Sequence, residues 1–190
     1  MRDDSTCLLE ALRGGSPEAF QQVYFAEKNW VFALLLRLSG DANVAADLFQ
    51  NVWLKLARHA ARLHEDTNLR AWLTTVARRE YLSYRRAQIV DLSRLLAWGR
   101  HVETTARSFA TSSETDELEA ALEALGERDR EVLLLVGVAE LDGTQAAQAL
   151  GISDVAFRQR LARARQRLAA ELERSRTQVP SRALARKARP

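Results

Sequence analysis

Gln159, Arg160 and Arg163, with Arg158, Arg165, Gln166 and Arg167 close by, are the side chains of this sequence best equipped for chemistry, and that chemistry is hydrogen bonding. A guanidinium reads guanine or grips a phosphate with two parallel N–H donors, and a glutamine amide reads adenine in the same two-point manner. Covalent or metal chemistry finds no comparable grouping. His59, His64 and His101 are scattered, and the chain holds neither a glycine-rich phosphate loop nor a His-Glu-x-x-His run. Cys7 is the single cysteine, which excludes an intrachain disulfide and a cysteine metal cluster. The sequence therefore predicts no catalytic residue, no metal and no cofactor.

Such side chains act only if something aims them, and the residues just before them supply the means. Asp142 is placed to cap a short helix over 143–150, Gly151 to stop it, Ile152 to plug the turn and Ser153 to cap the next helix. A three-residue turn with glycine at its start is the connection a helix-turn-helix uses to set two helices at a steep angle. In the second helix Phe157, Leu161, Ala164 and Leu168 fall on one narrow stripe and face a core. Val155, Ala156, Gln159, Arg160, Arg163, Gln166 and Arg167 then lie on one outer flank, with Arg158 and Arg165 on the other. An arginine-rich helix can equally be a solvated surface helix. The capped turn, and the abrupt start of the basic residues after an acidic run, favour a helix that enters a major groove.

The net charge of +3 conceals this arrangement, because residues 1–66, 67–100, 101–154 and 155–190 carry −2, +5, −9 and +9. Two basic blocks divided by an acidic one suggest two docking places for a polyanion. Of the 28 basic residues 25 are arginine. With 47% apolar residues, eight Gly and three Pro, the composition predicts an all-α fold of two small helical domains joined by a flexible linker. The longest apolar runs, 31–36 and 132–139, are too short to span a bilayer, and residues 1–30 lack a basic start followed by an apolar core. A cytoplasmic protein with no membrane insertion of its own is the expectation.

The first domain is expected over 1–89. Ser16-Pro17 opens a helix that Ser39-Gly40 closes, and Asp41 caps the next, which carries Val44, Leu48, Val52, Leu56 and Leu63. After the polar break 64–67, Asn68 can cap a third helix reaching about Ala87, with Leu69, Trp72, Leu73, Val76, Ala77 and Tyr84 on one side. Arg78 and Arg85 point the opposite way, flanked by Arg79 and Arg86. Residues 90–115 read as the linker, with a short helical turn over 92–98. The second domain follows over 116–175, and 176–190 reads as a basic, disordered tail.

At this point the chain resembles a known family. The strings GSPEAFQQVY, DLFQNVWLKL and NLRAWLTTVARREYLSYRR resemble successive parts of region 2 of the extracytoplasmic-function sigma factors of the bacterial sigma-70 family, and residues 122–172 resemble their region 4. The resemblance covers about 8–90 and 116–174. It implies a protein that binds core RNA polymerase, through the β′ and β subunits, and directs promoter-specific initiation without catalysing a reaction. Carried over by position, Asp47, Leu48, Gln50, Asn51 and Trp53 would contact polymerase. Asn68, Arg70, Arg78, Arg79, Arg85 and Arg86 would hold the minus ten element. Ser153, Val155, Ala156, Arg158, Gln159, Arg160, Arg163 and Arg167 would read the minus thirty-five element. An anti-sigma factor is the implied regulatory partner. The chain departs from the family's usual residues at Ala46, Asn51, Arg79 and Ser83. The rival reading is a helix-turn-helix regulator acting without polymerase, whose first domain would need a ligand pocket.

Overall fold

The computed structural model of the chain describes residues 4–97 and 113–185, and those residues form two compact units. Eight α-helices and no strand occur among them, as the composition predicts.

In the first unit, α1 (Asp4–Arg13) leads through Gly14 and Gly15, the latter at φ 82°, into α2 (Pro17–Ser39). The Ser16 hydroxyl oxygen accepts from the Ala19 amide at 3.1 Å and Pro17 occupies the first turn, where its missing N–H costs nothing. Ser16 also donates to Glu18 at 2.8 Å, which holds that carboxyl below its ordinary value. Gly40 ends α2 in the left-handed region at φ 68°, with its N–H on the Leu36 carbonyl. Asp41 then caps α3 (Ala42–His59), accepting from the amides of Asn43 and Val44 at 2.8 and 3.2 Å. A 3-10 turn over Ala60–Arg62 follows, so Leu63, expected at the end of the α3 stripe, lies beyond the helix and is still buried. Asn68 caps α4 (Leu69–Ala97) through an Oδ1 bond from the Ala71 amide at 2.9 Å. Val31, Leu34, Leu35, Val52, Leu56, Leu73 and Ala77 are fully excluded from solvent at the centre of this unit.

Two expected ends are corrected. α4 continues to Ala97 rather than stopping near Ala87, absorbing most of the short turn expected over 92–98; Trp98 and most of the expected linker lie outside the described residues. α8 (Asp154–Ala185) likewise runs through much of the tail expected to be disordered. In α4 no Gly or Pro interrupts residues 88–97, and each residue added to an existing helix needs no new nucleus.

In the second unit, α5 (Ser113–Ala124) and α6 (Glu127–Gly137) meet at a corner held by Arg130. Its Nε donates to the Leu122 carbonyl at 2.8 Å, and one Nη to the Glu123 and Leu125 carbonyls at 2.6 and 3.2 Å. These are acceptors that a helix end leaves without intrahelical partners. α7 (Gly143–Leu150) begins with a capping box: Asp142 accepts from the Gln145 amide and Gln145 accepts from the Asp142 amide. It closes at Gly151, φ 68°, with the Ile152 amide reaching back to the Ala147 carbonyl at 3.0 Å. Ser153 caps α8 through the Ala156 amide at 3.2 Å. Val132, Leu134 and Leu135 of α6, Ala146 and Ala147 of α7, and Phe157 and Ala164 of α8 form the buried centre.

Phe157 is the largest of those side chains and only 1% exposed, whereas Val155 two residues earlier is 57% exposed. Phe157→Ala is expected to destabilise the second unit by about 3–5 kcal/mol, and Val155→Ala to stay within about 0.5 kcal/mol of the parent, in urea unfolding followed by circular dichroism.

Candidate nucleic-acid interface

The α8 helix presents two unlike faces. Phe157 and Ala164 are buried and Leu161 and Leu168 half-buried, as the stripe predicts. Val155, Ala156, Arg158, Gln159, Arg163, Arg165, Gln166 and Arg167 are exposed, and Arg160 is half-buried. Asp154, the first residue of the helix, accepts from the Thr144 hydroxyl at 3.1 Å, tying α7 to the start of α8. Ser153 is exposed, with its oxygen engaged as the cap. Between the first turn of α6 and the outer flank of α8 lies an open groove of about 590 Å³, lined on the α8 side by Ala156, Gln159, Arg160, Arg163 and Arg167. The guanidiniums of Arg160 and Arg163 and the Gln159 amide along that groove can donate to phosphates or base edges.

Arg167 departs from expectation. Rather than standing free for the minus thirty-five duplex, it forms an ion pair with Asp129 of α6, a pairing that joins residues 38 apart in sequence and that helix periodicity could not reveal.

In the first unit the expected polymerase residues divide. Asp47, Gln50 and Asn51 are exposed on α3, but Leu48 and Trp53 are 5% and 7% exposed and belong to the core. Trp53 packs edge-on against Tyr24, Phe49 and Phe20, with ring centroids 4.8, 5.8 and 6.1 Å away, and its indole N–H has no hydrogen-bond partner. An aromatic ring in that cluster contributes area rather than a contact surface. Leu54 is the residue sequence reasoning missed. It is 51% exposed, and its position three and four residues after Asn51 and Gln50 places it on their face.

The basic side of α4 is rotated from its expected setting. Thr74 and Tyr81 are buried alongside Leu73, Val76 and Ala77, which widens the packed arc until Arg78 and Arg85 are half-buried, Arg85 lying over the Tyr81 ring at 5.9 Å. Arg79 and Arg86, expected only as flanks, are the exposed pair. Asn68 is exposed beside the 64–67 loop, while Arg70 stacks on Trp30 at 4.8 Å with Glu27 3.9 Å away. Trp30 donates its indole N–H to Glu27, so this tryptophan, like Trp72, is a half-buried packing residue rather than an open platform. Among the described residues no group of three His, Cys, Asp or Glu could hold a metal ion, and no helix is long and apolar enough to cross a membrane.

The Sigma-70 region 2 family matches residues 23–89 and the Sigma-70 region 4 family matches residues 115–168. The chain is 32% identical over 145 residues to the ECF RNA polymerase sigma factor EcfG of Rhodopseudomonas palustris, covering 74% of this chain and 77% of that protein. It is 30% identical over 165 residues to a probable RNA polymerase sigma factor, RfaY, of Xanthomonas campestris pv. campestris, covering 83% of this chain but only 41% of the relative's length. Among solved structures, the sigma factor RpoE in complex with the anti-sigma factor NepR from Bartonella quintana is similar at TM-score 0.71 and 27% identity, over 81% of this chain and 96% of that one. The chain belongs to the extracytoplasmic-function sigma factors of the sigma-70 family.

The burial of Trp53 yields a direct check. Trp53→Ala is expected to cost about 3–5 kcal/mol of stability in the first unit, and Leu54→Ala no more than about 0.5 kcal/mol, in thermal or urea unfolding of the two variants.

Proposed function

We propose that this sigma factor assembles with core RNA polymerase through the exposed α3 face of Asp47, Gln50, Asn51 and Leu54, and reads promoter DNA with one basic surface on each unit. The observation that carries this reading is the pairing of a region 2-like unit with a helix-turn-helix whose second helix turns Gln159 and Arg163 outward, with Arg160 at the margin. The second unit would read the minus thirty-five duplex. There Ser153, Val155, Ala156 and Arg158 line the start of the recognition helix, and Gln159, Arg160 and Arg163 reach the base edges. In the first unit, Arg79 and Arg86 of α4 would hold phosphates of the minus ten element while a base leaves the stack into the loop before Asn68. Arg78 and Arg85 support that surface from its flank. Domain limits of 1–89 and 116–175 describe the two functional parts. The chain itself catalyses no reaction. It acts in the cytoplasm, contacts the β′ and β subunits, and is held in check by an anti-sigma factor, a partner seen with the RpoE relative. A regulator acting without polymerase is not favoured, because the first unit carries region 2 rather than a ligand-sensing domain.

Run-off transcription with purified core polymerase on a genomic fragment library, with and without the chain, tests the reading. Discrete transcripts that require the chain are expected; none would refute it. Asp47→Arg is expected to reduce capture of core polymerase at least tenfold while leaving the circular dichroism melt unchanged. Arg163→Ala is expected to weaken binding to the recovered minus thirty-five duplex by about 1–3 kcal/mol, and to weaken a scrambled duplex less.

A further inference from the structure

The Asp129–Arg167 ion pair joins two residues of very different exposure: the Asp129 side chain is 11% exposed and that of Arg167 65% exposed. Arg167 lies on the groove flank of α8 with Arg160 and Arg163, where charge alone would make it a phosphate anchor. Its Nη1, however, is bonded to the Asp129 carboxylate. Removing the partner of a carboxylate that is nearly nine-tenths buried strands a charge in a poorly solvated place, a loss larger than one exposed phosphate contact returns. A phosphate entering the groove therefore meets a guanidinium already neutralised, with the Asp129 charge behind it.

We propose that Asp129 limits how tightly the second unit holds duplex DNA of any sequence. By keeping Arg167 in an internal ion pair, it subtracts one cation from sequence-blind attraction to the DNA backbone and leaves duplex reading to Gln159, Arg160 and Arg163. Each cation that neutralises a phosphate strengthens binding to every sequence alike and adds about one unit to the salt dependence. Withholding one lowers affinity for every sequence alike and leaves discrimination to the base-edge contacts. The inference rests on the reading of α8 as the duplex-binding helix given above.

The test is titration of the full chain with a matched and a scrambled minus thirty-five duplex at several salt concentrations. Asp129→Asn keeps the shape of the side chain and one acceptor. It is expected to steepen the slope of log K against log salt by about one unit and to tighten the matched and the scrambled duplex alike, roughly three- to tenfold. Arg167→Ala is expected to leave the slope unchanged, and the double variant to restore it to the parent value. A slope reduced by about one unit in Arg167→Ala, or an Asp129→Asn variant that folds but does not steepen it, overturns the proposal. Should Asp129→Asn fail to fold by circular dichroism, Arg167→Gln decides: an unchanged slope supports the proposal and a reduced one overturns it. Arg163→Ala separates the two levels. If it loses affinity for the matched duplex, a failure at Arg167 belongs to this proposal alone; if it does not, the recognition helix is misassigned and the proposal falls with it.

Discussion

The rotation of α8 about its own axis is settled by Phe157 and Ala164, which are buried to 1% and 0% exposure in a unit where α8 packs on α5, α6 and α7. They stand seven residues apart, close to two turns, so one azimuth of the helix is pinned at two heights. Once that azimuth is fixed, Gln159 and Arg163 have nowhere to point but outward, and Arg160 lies at the margin. The direction of the helix is set separately, by the left-handed Gly151 and the caps at Asp142 and Ser153. Function in the second unit thus depends on apolar burial for rotation and on backbone hydrogen bonds for direction. Neither task falls to the arginines themselves.

The first unit solves a different problem with related means. Phe20 and Tyr24 of α2 meet Phe49 and Trp53 of α3 edge-on, and Phe32 joins through Phe49 at 5.8 Å. Edge-to-face rings lock two helices in register more firmly than aliphatic contacts of equal area, because the ring quadrupoles favour particular approaches. That leaves the opposite side of α3 free of packing duties, and Asp47, Gln50, Asn51 and Leu54 occupy it. Lys55 pairs with Glu80 at the edge of α4, a link between the aromatic register and the basic helix.

Much of this architecture is legible in the sequence alone. The start and stop residues of α2 and α7, the N-caps of α3, α4 and α8, and the buried and exposed sides of α8 follow from caps, glycines and 3.6-residue spacing, all properties of short stretches of chain. The features that escaped depend on what faces a helix rather than on the helix. Trp53 shares an exposed-looking neighbourhood with Gln50 and Asn51, and only the rings contributed by α2 explain why it turns inward. Arg78 and Arg85 sit opposite the obvious apolar residues of α4, but Thr74 and Tyr81 are also buried, and a threonine gives no hydrophobic signal. The α1 helix was not anticipated at all. Arg167 illustrates the same limit, since its partner lies on another helix.

Arg130 gives the second unit a property that its helices alone would not confer. One guanidinium bridges the Leu122, Glu123 and Leu125 carbonyls from the first turns of α6, so the corner between α5 and α6 is closed like a buckle of fixed size. An added or deleted residue between Leu125 and Arg130 would shift the fork off all its acceptors at once. Lysine could not take over, because a single ammonium on a flexible stem lacks the planar fork that spans several acceptors. The corner therefore admits exchange of exposed side chains, as at Glu127 and Arg128, while tolerating almost no change in length.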